Sequence, residues 1–156
     1  MTEQPAFIPG RNHSDHRGLI TFVNDFHLDE VRRFYLIEHA DIHIVRAWQG
    51  HKKEQKWFYV VSGSFNMVVV QTDNWENPLT DLDVQEFVLS SNSTGVLHIP
   101  GGYANGFKAL EPNSKIIVFS DFAMEQSSND NYRFDQSFWY DWVANRKLTI
   151  PLDKQQ

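Results

Sequence analysis

The sequence of 156 residues contains no cysteine, which excludes disulfides, thiolate catalysis, zinc fingers and iron–sulfur clusters. Basic residues are in the minority, with 14 Lys and Arg against 20 Asp and Glu. The resulting net charge of −6 is opposite to the balance typical of nucleic-acid-binding proteins. No apolar run approaches the ~20 residues that span a bilayer, and no signal-peptide pattern is present. These absences predict a soluble, acidic, cytoplasmic protein that binds neither nucleic acid nor membranes.

Aromatic residues are abundant: five Trp, five Tyr and twelve Phe make up 14% of the chain. Aromatic and β-branched side chains suit a pleated, half-buried surface, so this composition favours β-structure. Aromatic side chains also line small-molecule pockets. Both interpretations, core and pocket, stay open at this point.

Hydrophobicity along the chain has mostly a period of two, which is typical of strands. Turn signals separate the apolar runs every 8 to 12 residues, and this spacing predicts a barrel or a sandwich. The single Gly63 between two runs predicts a tight hairpin. The predicted strands are Gly18–Asn24, Val31–Glu38, Ile42–Trp48, Lys56–Ser62, Ser64–Gln71, Val84–Ser90, Val96–Ile99, Gly106–Leu110 and Lys115–Asp121.

Helix is expected only near the C-terminus. Phe138, Trp139, Trp142 and Val143 are spaced as on one helix face, which predicts a short helix over Ser137–Arg146. The polar segment 124–131 is expected to be a loop. No linker or repeat divides the chain, so we expect one domain over 1–156, with a core over 17–122 and a C-terminal helical segment over 123–156.

The first pattern with chemical potential is Arg46–Lys53. If this segment is a strand, Gln49 and His51 lie on the same face. Two adjacent polar groups, with Trp57 and Tyr59 on the next strand, are unusual for a purely apolar core. His51 is therefore either a hydrogen-bonded structural residue or part of a site.

Two further patterns are weaker. Proline and paired glycines in Ile99–Phe107 predict a tight turn that leads through Asn105 into a strand. Arg33 and Tyr35 share a face of another predicted strand. Taken alone, the first of these is an ordinary turn and the second an ordinary exposed edge.

Together these patterns resemble the two motifs of the RmlC-like cupin superfamily. The first cupin motif corresponds to Gln49-Gly50-His51, Glu54 and Ser62-Gly63-Ser64, and the second to Pro100-Gly101-Gly102-Tyr103-Ala104-Asn105. The resemblance extends from about Arg17 to Trp142. It implies an all-β fold, the cupin double-stranded β-helix or jelly-roll barrel, which we expect to carry the short C-terminal helix.

Within the cupins, the sequence is most similar to enzymes that act on dTDP-4-keto-6-deoxy sugars. Arg33–Ile37, Arg46–Lys53 and Val61–Ser64 resemble the dTDP-sugar 3,4-ketoisomerases. Ile99–Leu110, Asp121 and Arg133 are more similar to the dTDP-4-dehydrorhamnose 3,5-epimerases. This resemblance implies an isomerase or epimerase of surface-polysaccharide synthesis, with a nucleotide sugar as its small-molecule partner and a homodimer that exchanges N-terminal strands.

The chain departs from the family pattern at three places. Gln49 replaces the first motif's leading histidine, Asn105 replaces the second motif's histidine, and Phe122-Ala123 stands where a tyrosine pair is common. Gln and Asn offer neutral oxygens, which suit a divalent transition metal poorly. Only His51 and Glu54 would bind such an ion well. We therefore expect no metal and no other cofactor.

The remaining residues allow proton transfer next to a ketone. His51 titrates near neutrality and is the expected base, while Tyr35 would protonate or hydrogen-bond the sugar oxygen. Arginine holds phosphate oxygens bidentately, and amides donate to an oxyanion. The residues expected to bind substrate are Arg33, Arg46, Gln49, Lys52, Trp57, Tyr59, Tyr103 and Asn105.

Two other functions are compatible with the sequence. The missing histidines and tyrosine pair would suit a cupin that binds a sugar nucleotide without catalysis. A metal-dependent cupin enzyme is the third hypothesis. The identity of the nucleotide, the product stereochemistry and the fate of catalysis with Gln49 and Asn105 stay open.

Overall fold

The computed structural model describes residues 3–148, so the last eight residues of the predicted C-terminal segment lie outside the described residues. The strands are β1 (Ala6–Pro9), β2 (Arg11–Asp15), β3 (Gly18–Phe22), β4 (Arg33–His39), β5 (Val45–His51), β6 (Lys56–Ser62), β7 (Ser64–Gln71), β8 (Val84–Ser90), β9 (Gly95–Ile99), β10 (Tyr103–Ala109), β11 (Ser114–Ser120), β12 (Tyr132–Arg133), β13 (Tyr140–Asp141) and β14 (Arg146–Lys147). The helix α1 spans Met124–Ser128. Within residues 3–148, no helix is long and apolar enough to cross a membrane.

Two five-stranded sheets form the body of the protein. One has the strand order β1-β9-β6-β11-β4 and the other the order β12-β5-β10-β7-β8. The pairings are antiparallel, for example Ile116 of β11 opposite Ile37 of β4. The expected all-β cupin barrel is confirmed. Neighbours in each sheet are mostly distant in sequence, as in a jelly roll.

The strand β7 explains how the barrel is covered on both sides. Phe65, Met67 and Val69 point into the barrel interior, where they join the main apolar core. Val68 and Val70 point outward and pack with Trp48 and aromatic residues of the C-terminal segment. Because both faces of β7 are covered, every residue from Ser64 to Val70 is buried, including the polar Ser64 and Asn66.

The turn at Gly63 is not the predicted hairpin. The strand β6 pairs with β9 and β11, whereas β7 pairs with β8 and β10, so the chain passes from one sheet to the other at this glycine. Gly63 has a φ of 75°, and a side chain there would collide with Ser114. The tight turn at Gly63 is predicted correctly from the sequence. The strands that β6 and β7 pair with are distant in sequence, so no local pattern predicts them.

The predicted helix over Ser137–Arg146 is wrong. Trp139 has a left-handed φ of 64°, and the Asp141 carboxylate accepts the N–H groups of Val143 and Ala144 in a turn between β13 and β14. The aromatic residues instead pack on the barrel, where Trp139 meets Trp48 edge-on with ring centroids 5.1 Å apart. The short helix is α1, inside the segment expected to be a loop.

The predicted strands correspond to β3 through β11 with shifts at their ends. The largest shift is in β5, which spans Val45–His51 instead of Ile42–Trp48. The strand β10 begins at Tyr103, earlier than predicted, so the turn in Ile99–Phe107 is confined to the paired glycines. Gly102 has a φ of 97°, which suits glycine. The N-terminal strands β1 and β2 were not predicted.

Candidate functional site

A cavity of about 650 Å³ opens between the two sheets. Its wall includes Arg33 and Tyr35 of β4, and Arg46 and Gln49 of β5. Lys56 of β6 and Asn105 of β10 complete the polar part, and Phe58, Phe107 and Val118 form an apolar part. The segment from Met124 to Arg133 closes one side. Alternation explains why Arg33 and Tyr35 of β4 share a face, as do Gln49 and His51 of β5. Arg46 and Gln49, three residues apart, both reach the cavity because the pairing of β5 with β10 shifts register between them.

The cavity wall is cationic although the protein is acidic. Four lining residues carry positive charge, namely Arg33, Arg46, Lys56 and Arg133, and none of the lining residues is acidic. In a chain with a net charge of −6, this local reversal concentrates positive potential in one cleft. The cavity is therefore suited to an anionic ligand.

Lys56 forms the polar centre of the cavity wall. It is only 3% exposed, and its Nζ donates hydrogen bonds to the Tyr35 hydroxyl at 3.0 Å and to Gln49 Oε1 at 3.1 Å. Gln49 Nε2 in turn donates to Asn131 Oδ1. Burying an ammonium group is costly unless it is hydrogen-bonded. A lysine at this position therefore indicates a need for positive charge inside the cavity.

Two cationic side chains, Lys56 and Arg33, contact Tyr35. Lys56 donates to its hydroxyl oxygen, and the Arg33 guanidinium lies 5.1 Å from the ring centroid. Because the oxygen accepts the lysine hydrogen bond, the phenolic hydrogen is available for an acceptor in the cavity. This geometry would let Tyr35 donate to a ligand oxygen and would place the ammonium group of Lys56 beside any negative charge on that oxygen.

His51 is buried, with 3% exposure, and its Nδ1 lies 2.6 Å from the backbone carbonyl oxygen of Asp130. A carbonyl can only accept, so Nδ1 carries the hydrogen and Nε2 of the neutral ring keeps its lone pair. Nε2 has no hydrogen-bond partner within the described residues. Burial lowers the pKa of His51, and the charge of Lys56 lowers it further, against the opposing effect of Glu54. The ring is neutral near pH 7 and carries an unused basic nitrogen.

Two buried carboxylates hold the segment that closes the cavity. The Asp130 carboxylate accepts backbone N–H groups of Lys52, Lys53 and Glu54, at 2.8 to 2.9 Å. The Glu54 carboxylate accepts the hydroxyls of Ser120 and Ser127 and lies 3.4 Å from Arg33 Nη2. These contacts fix α1 and the following residues against β5 and β6.

The cupin metal position does not suit an ion in this chain. His51 could offer only its Nε2, since Nδ1 donates to a backbone carbonyl, and both oxygens of Glu54 already accept hydrogen bonds from serines. Gln49 and Asn105 add only neutral amides. Within residues 3–148, no group of three His, Cys, Asp or Glu side chains is arranged to hold a metal ion.

The structure brings half of the expected site residues into the cavity wall. These are Arg33, Tyr35, Arg46, Gln49 and Asn105. His51 is adjacent, since it interacts with both Lys56 and Glu54, but its ring lies behind the wall.

The other four expected substrate-binding residues lie elsewhere. Lys52 places its Nζ 5.1 Å from the centroid of the Tyr132 ring, away from the cavity. Trp57 stacks on His98 on the opposite face of β6 from Lys56, and Tyr59 shares that face. Tyr103 is buried in the main core, with its hydroxyl bonded to the carbonyl of Glu3.

Several lining residues were not identified from the sequence. The sequence predicts Lys56 only as the first residue of a strand. Neighbouring residues of a strand point to opposite faces, so its position next to Trp57 would have indicated the inward face. Ser127, Ser128 and Asn131 belong to the segment expected to be a loop, and no local signal directs that segment across the cavity.

Comparisons with known proteins agree with this architecture. A curated relative, the probable low-salt glycan biosynthesis epimerase Agl13 of Haloferax volcanii, is 27% identical over 110 residues, covering 67% of this chain and 69% of the relative. The WlaRB TDP-quinovose 3,4-ketoisomerase of Campylobacter jejuni matches with a TM-score of 0.65 at 18% identity, over 85% of this chain and 95% of its own. The dTDP-4-dehydrorhamnose 3,5-epimerase of Bacillus anthracis matches with a TM-score of 0.70 at 18% identity, over 85% of this chain and 79% of its own.

The solved structures establish the shared fold, and the family follows from the sequence itself. A family model described as FdtA: WxcM-like, C-terminal, matches residues 4–140, which include both sheets and the segment closing the cavity. The resemblance to RmlC-like cupins seen in the sequence is confirmed. This chain belongs to the FdtA, WxcM-like C-terminal family.

Proposed function

We propose that this protein is an isomerase of a nucleotide-linked 4-keto-6-deoxy sugar that moves a proton from the carbon beside the ketone to the ketone carbon itself. The observation that carries the proposal is the Tyr35–Lys56–Gln49 network in a cationic cavity next to a neutral, unpaired His51 Nε2. The names of the relatives, a glycan biosynthesis epimerase and a sugar ketoisomerase, agree with this class.

The binding step follows from the charge of the cavity. A nucleotide sugar carries a diphosphate, whose oxygens suit the guanidinium groups of Arg33, Arg46 or Arg133. The sugar would then lie beside Tyr35 and Lys56. A cytoplasmic location, expected from the sequence, belongs to the same proposal.

The chemical step needs a base and a stabilised enolate. The Nε2 lone pair of His51 would take the proton from C3 of the sugar. The electron pair of the C–H bond would form a C3=C4 double bond, and the π electrons of the C4=O4 bond would move to O4. Lys56 and the Tyr35 hydroxyl would stabilise this negative oxygen. The histidine would return its proton to C4, while the hydroxyl proton moves from O3 to O4, giving the 3-keto isomer. Gln49 and Asn105 would donate hydrogen bonds only, because amides do not titrate near pH 7.

A second candidate function is favoured by the position of His51. Its ring is not part of the cavity wall, so catalysis requires the side chain or the closing segment to shift when the sugar binds. Without such a shift, the same cavity would bind a sugar nucleotide without turning it over.

The experiment is proton exchange in deuterated water with dTDP-4-keto-6-deoxyglucose, followed by NMR. Loss of the C3 proton, with a proton or deuteron appearing at C4 of a 3-keto product, is the expected result. Exchange at both C3 and C5 would instead indicate an epimerase. Line broadening or shifts of the nucleotide, with neither exchange nor a 3-keto product, would overturn the isomerase proposal in favour of the non-catalytic binder.

We also propose a homodimer. The hairpin of β2 and β3 forms a separate two-stranded sheet, and Leu19 and Ile20 on it are 62% and 58% exposed. A two-stranded hairpin is marginally stable alone, so a second copy of the chain is the partner that we expect to cover it. Light scattering should report a dimer that the double substitution Leu19→Lys, Ile20→Lys converts to a monomer. The matched substitution at exposed Val143, Val143→Lys, should leave the dimer intact. A wild-type monomer would contradict the proposal.

A further inference from the structure

Arg46 differs from the other arginines of the cavity in what holds it. Its Nε donates a hydrogen bond of 2.8 Å to Nε2 of His39. His39 is the last residue of β4 and lies on the same inward face as Arg33 and Tyr35, but deeper in the barrel, where it is 2% exposed. The guanidinium at the cavity wall is therefore fastened to a buried histidine.

The His39 ring is held firmly by its neighbours. It stacks on Phe107, with ring centroids 5.7 Å apart and planes 18° apart, and meets Phe65 edge-on at 5.5 Å. Burial lowers the pKa of His39, and the adjacent charge of Arg46 lowers it further. The ring is thus neutral near pH 7, which is the form whose Nε2 can accept from an arginine.

This contact leaves the outer part of the guanidinium unused. With Nε bonded to His39, the two terminal nitrogens of Arg46 keep their N–H groups for a ligand. Within residues 3–148, no carboxylate forms an ion pair with Arg46. Arg33, in contrast, donates to Ser127, Glu54 and the carbonyl of Phe122. Arg46 is therefore the better placed of the two for a phosphate group.

We propose that His39 is a positioning residue that fixes Arg46, so that its terminal nitrogens face the phosphate oxygens of a diphosphate ligand. Holding a long, flexible side chain in its bound orientation removes part of the entropic cost of binding. The inference rests on the substrate class of the proposed function, and it concerns ligand affinity rather than turnover.

The test is a double-mutant cycle on the affinity for dTDP, measured by calorimetry. His39→Leu should weaken binding about fivefold, and Arg46→Ala about tenfold or more. The double variant should bind no more weakly than Arg46→Ala alone, because His39 acts only through Arg46. His39→Gln keeps an acceptor and should bind within about twofold of the wild type. Losses that add in the double variant, or unchanged binding by His39→Leu, would overturn the proposal.

Two controls separate this role from a general effect on folding. His43→Leu makes the same change at an exposed histidine and should leave affinity unchanged. His39→Leu opens or strains a buried site, so thermal unfolding is measured for each variant, and His39→Gln keeps the test valid if the leucine variant does not fold.

The outcomes also distinguish this inference from the proposed function. Coupled losses in dTDP affinity, together with neither proton exchange nor a 3-keto product from the keto sugar, would retain the role of His39 and reject the isomerase. Proton exchange with additive losses would do the reverse. A wild-type protein that binds neither dTDP nor inorganic pyrophosphate would overturn the role of His39.

Discussion

His39 and His51 are both buried in the barrel, and burial lowers the pKa of each, yet their surroundings give them different uses. At His51 the partner is a carbonyl, which satisfies the Nδ1–H and leaves the Nε2 lone pair free. At His39 the partner is an arginine, which occupies the lone pair and leaves Nδ1 without a partner in the described part of the chain. A free lone pair makes a base, whereas an occupied one makes a support for a cation.

The groups that the two histidines place in the site lie at opposite ends of β5. Arg46, which His39 holds, and His51 are five residues apart on β5, roughly 16 Å along an extended strand. That length is suited to a ligand with a diphosphate at one end and a reacting sugar at the other. Changes near His51 should therefore affect turnover, and changes near His39 should affect affinity.

The largest effect is expected from removing the base. His51→Asn keeps a side-chain N–H that can donate to the Asp130 carbonyl but has no basic nitrogen, so the rate of exchange at C3 should fall about 10²–10⁴-fold. NMR in deuterated water measures this rate. His43→Asn is the control at an exposed position and should exchange at the wild-type rate. Undiminished exchange in the His51 variant would assign the base to another group.

A smaller loss of turnover is expected at the oxyanion network. Tyr35→Phe removes the hydroxyl, and Lys56→Met removes the charge beside it, so each should lower kcat about 10²-fold with little change in dTDP affinity. Tyr59→Phe removes a hydroxyl from the opposite face of β6 and serves as the control. A loss confined to dTDP affinity, with kcat retained, would place these residues in binding instead.

Stability should depend on pH through both histidines. Because burial lowers their pKa values below the ordinary value of 6.5, the unfolded chain binds these protons at a higher pH than the folded chain does. The free energy of unfolding should thus be fully retained above about pH 6.5 and decrease as the pH falls below it. Urea denaturation between pH 7.5 and 5.5 measures the slope, which should be shallower in His39→Gln and in His51→Asn. Equal slopes in the wild type and in both variants would contradict the role of the two histidines in the pH dependence of stability.

The smallest effect is on the NMR spectra of the two histidine rings. Both histidines should carry their hydrogen on Nδ1, since one donates from Nδ1 to a carbonyl and the other accepts at Nε2. Long-range ¹H–¹⁵N spectra distinguish protonated from unprotonated ring nitrogens, and the variants at each histidine assign the signals. A hydrogen on Nε2 of His51 would remove the proposed base.

Much of the barrel could be predicted because its strands have a local signal. Alternation of apolar and polar residues identified β3 to β11, and the same alternation placed Gln49 with His51 and Arg33 with Tyr35. The exceptions have physical causes. The helix predicted over Ser137–Arg146 failed because its tryptophans pack against β5 rather than along a helix face. The Gly63 hairpin failed because strand pairing is long-range.

The sequence by itself determined the class of fold, the family pattern and the set of polar residues on the inward faces of β4 and β5. A period of two and the chemistry of side chains are local properties, so they can be read along the chain. Only the tertiary structure decided that Lys56 joins Tyr35 to Gln49, that α1 and the residues after it close the cavity, and which nitrogen of each histidine is occupied. These features depend on contacts between residues far apart in sequence, and no local pattern encodes the partner that a buried polar atom will meet.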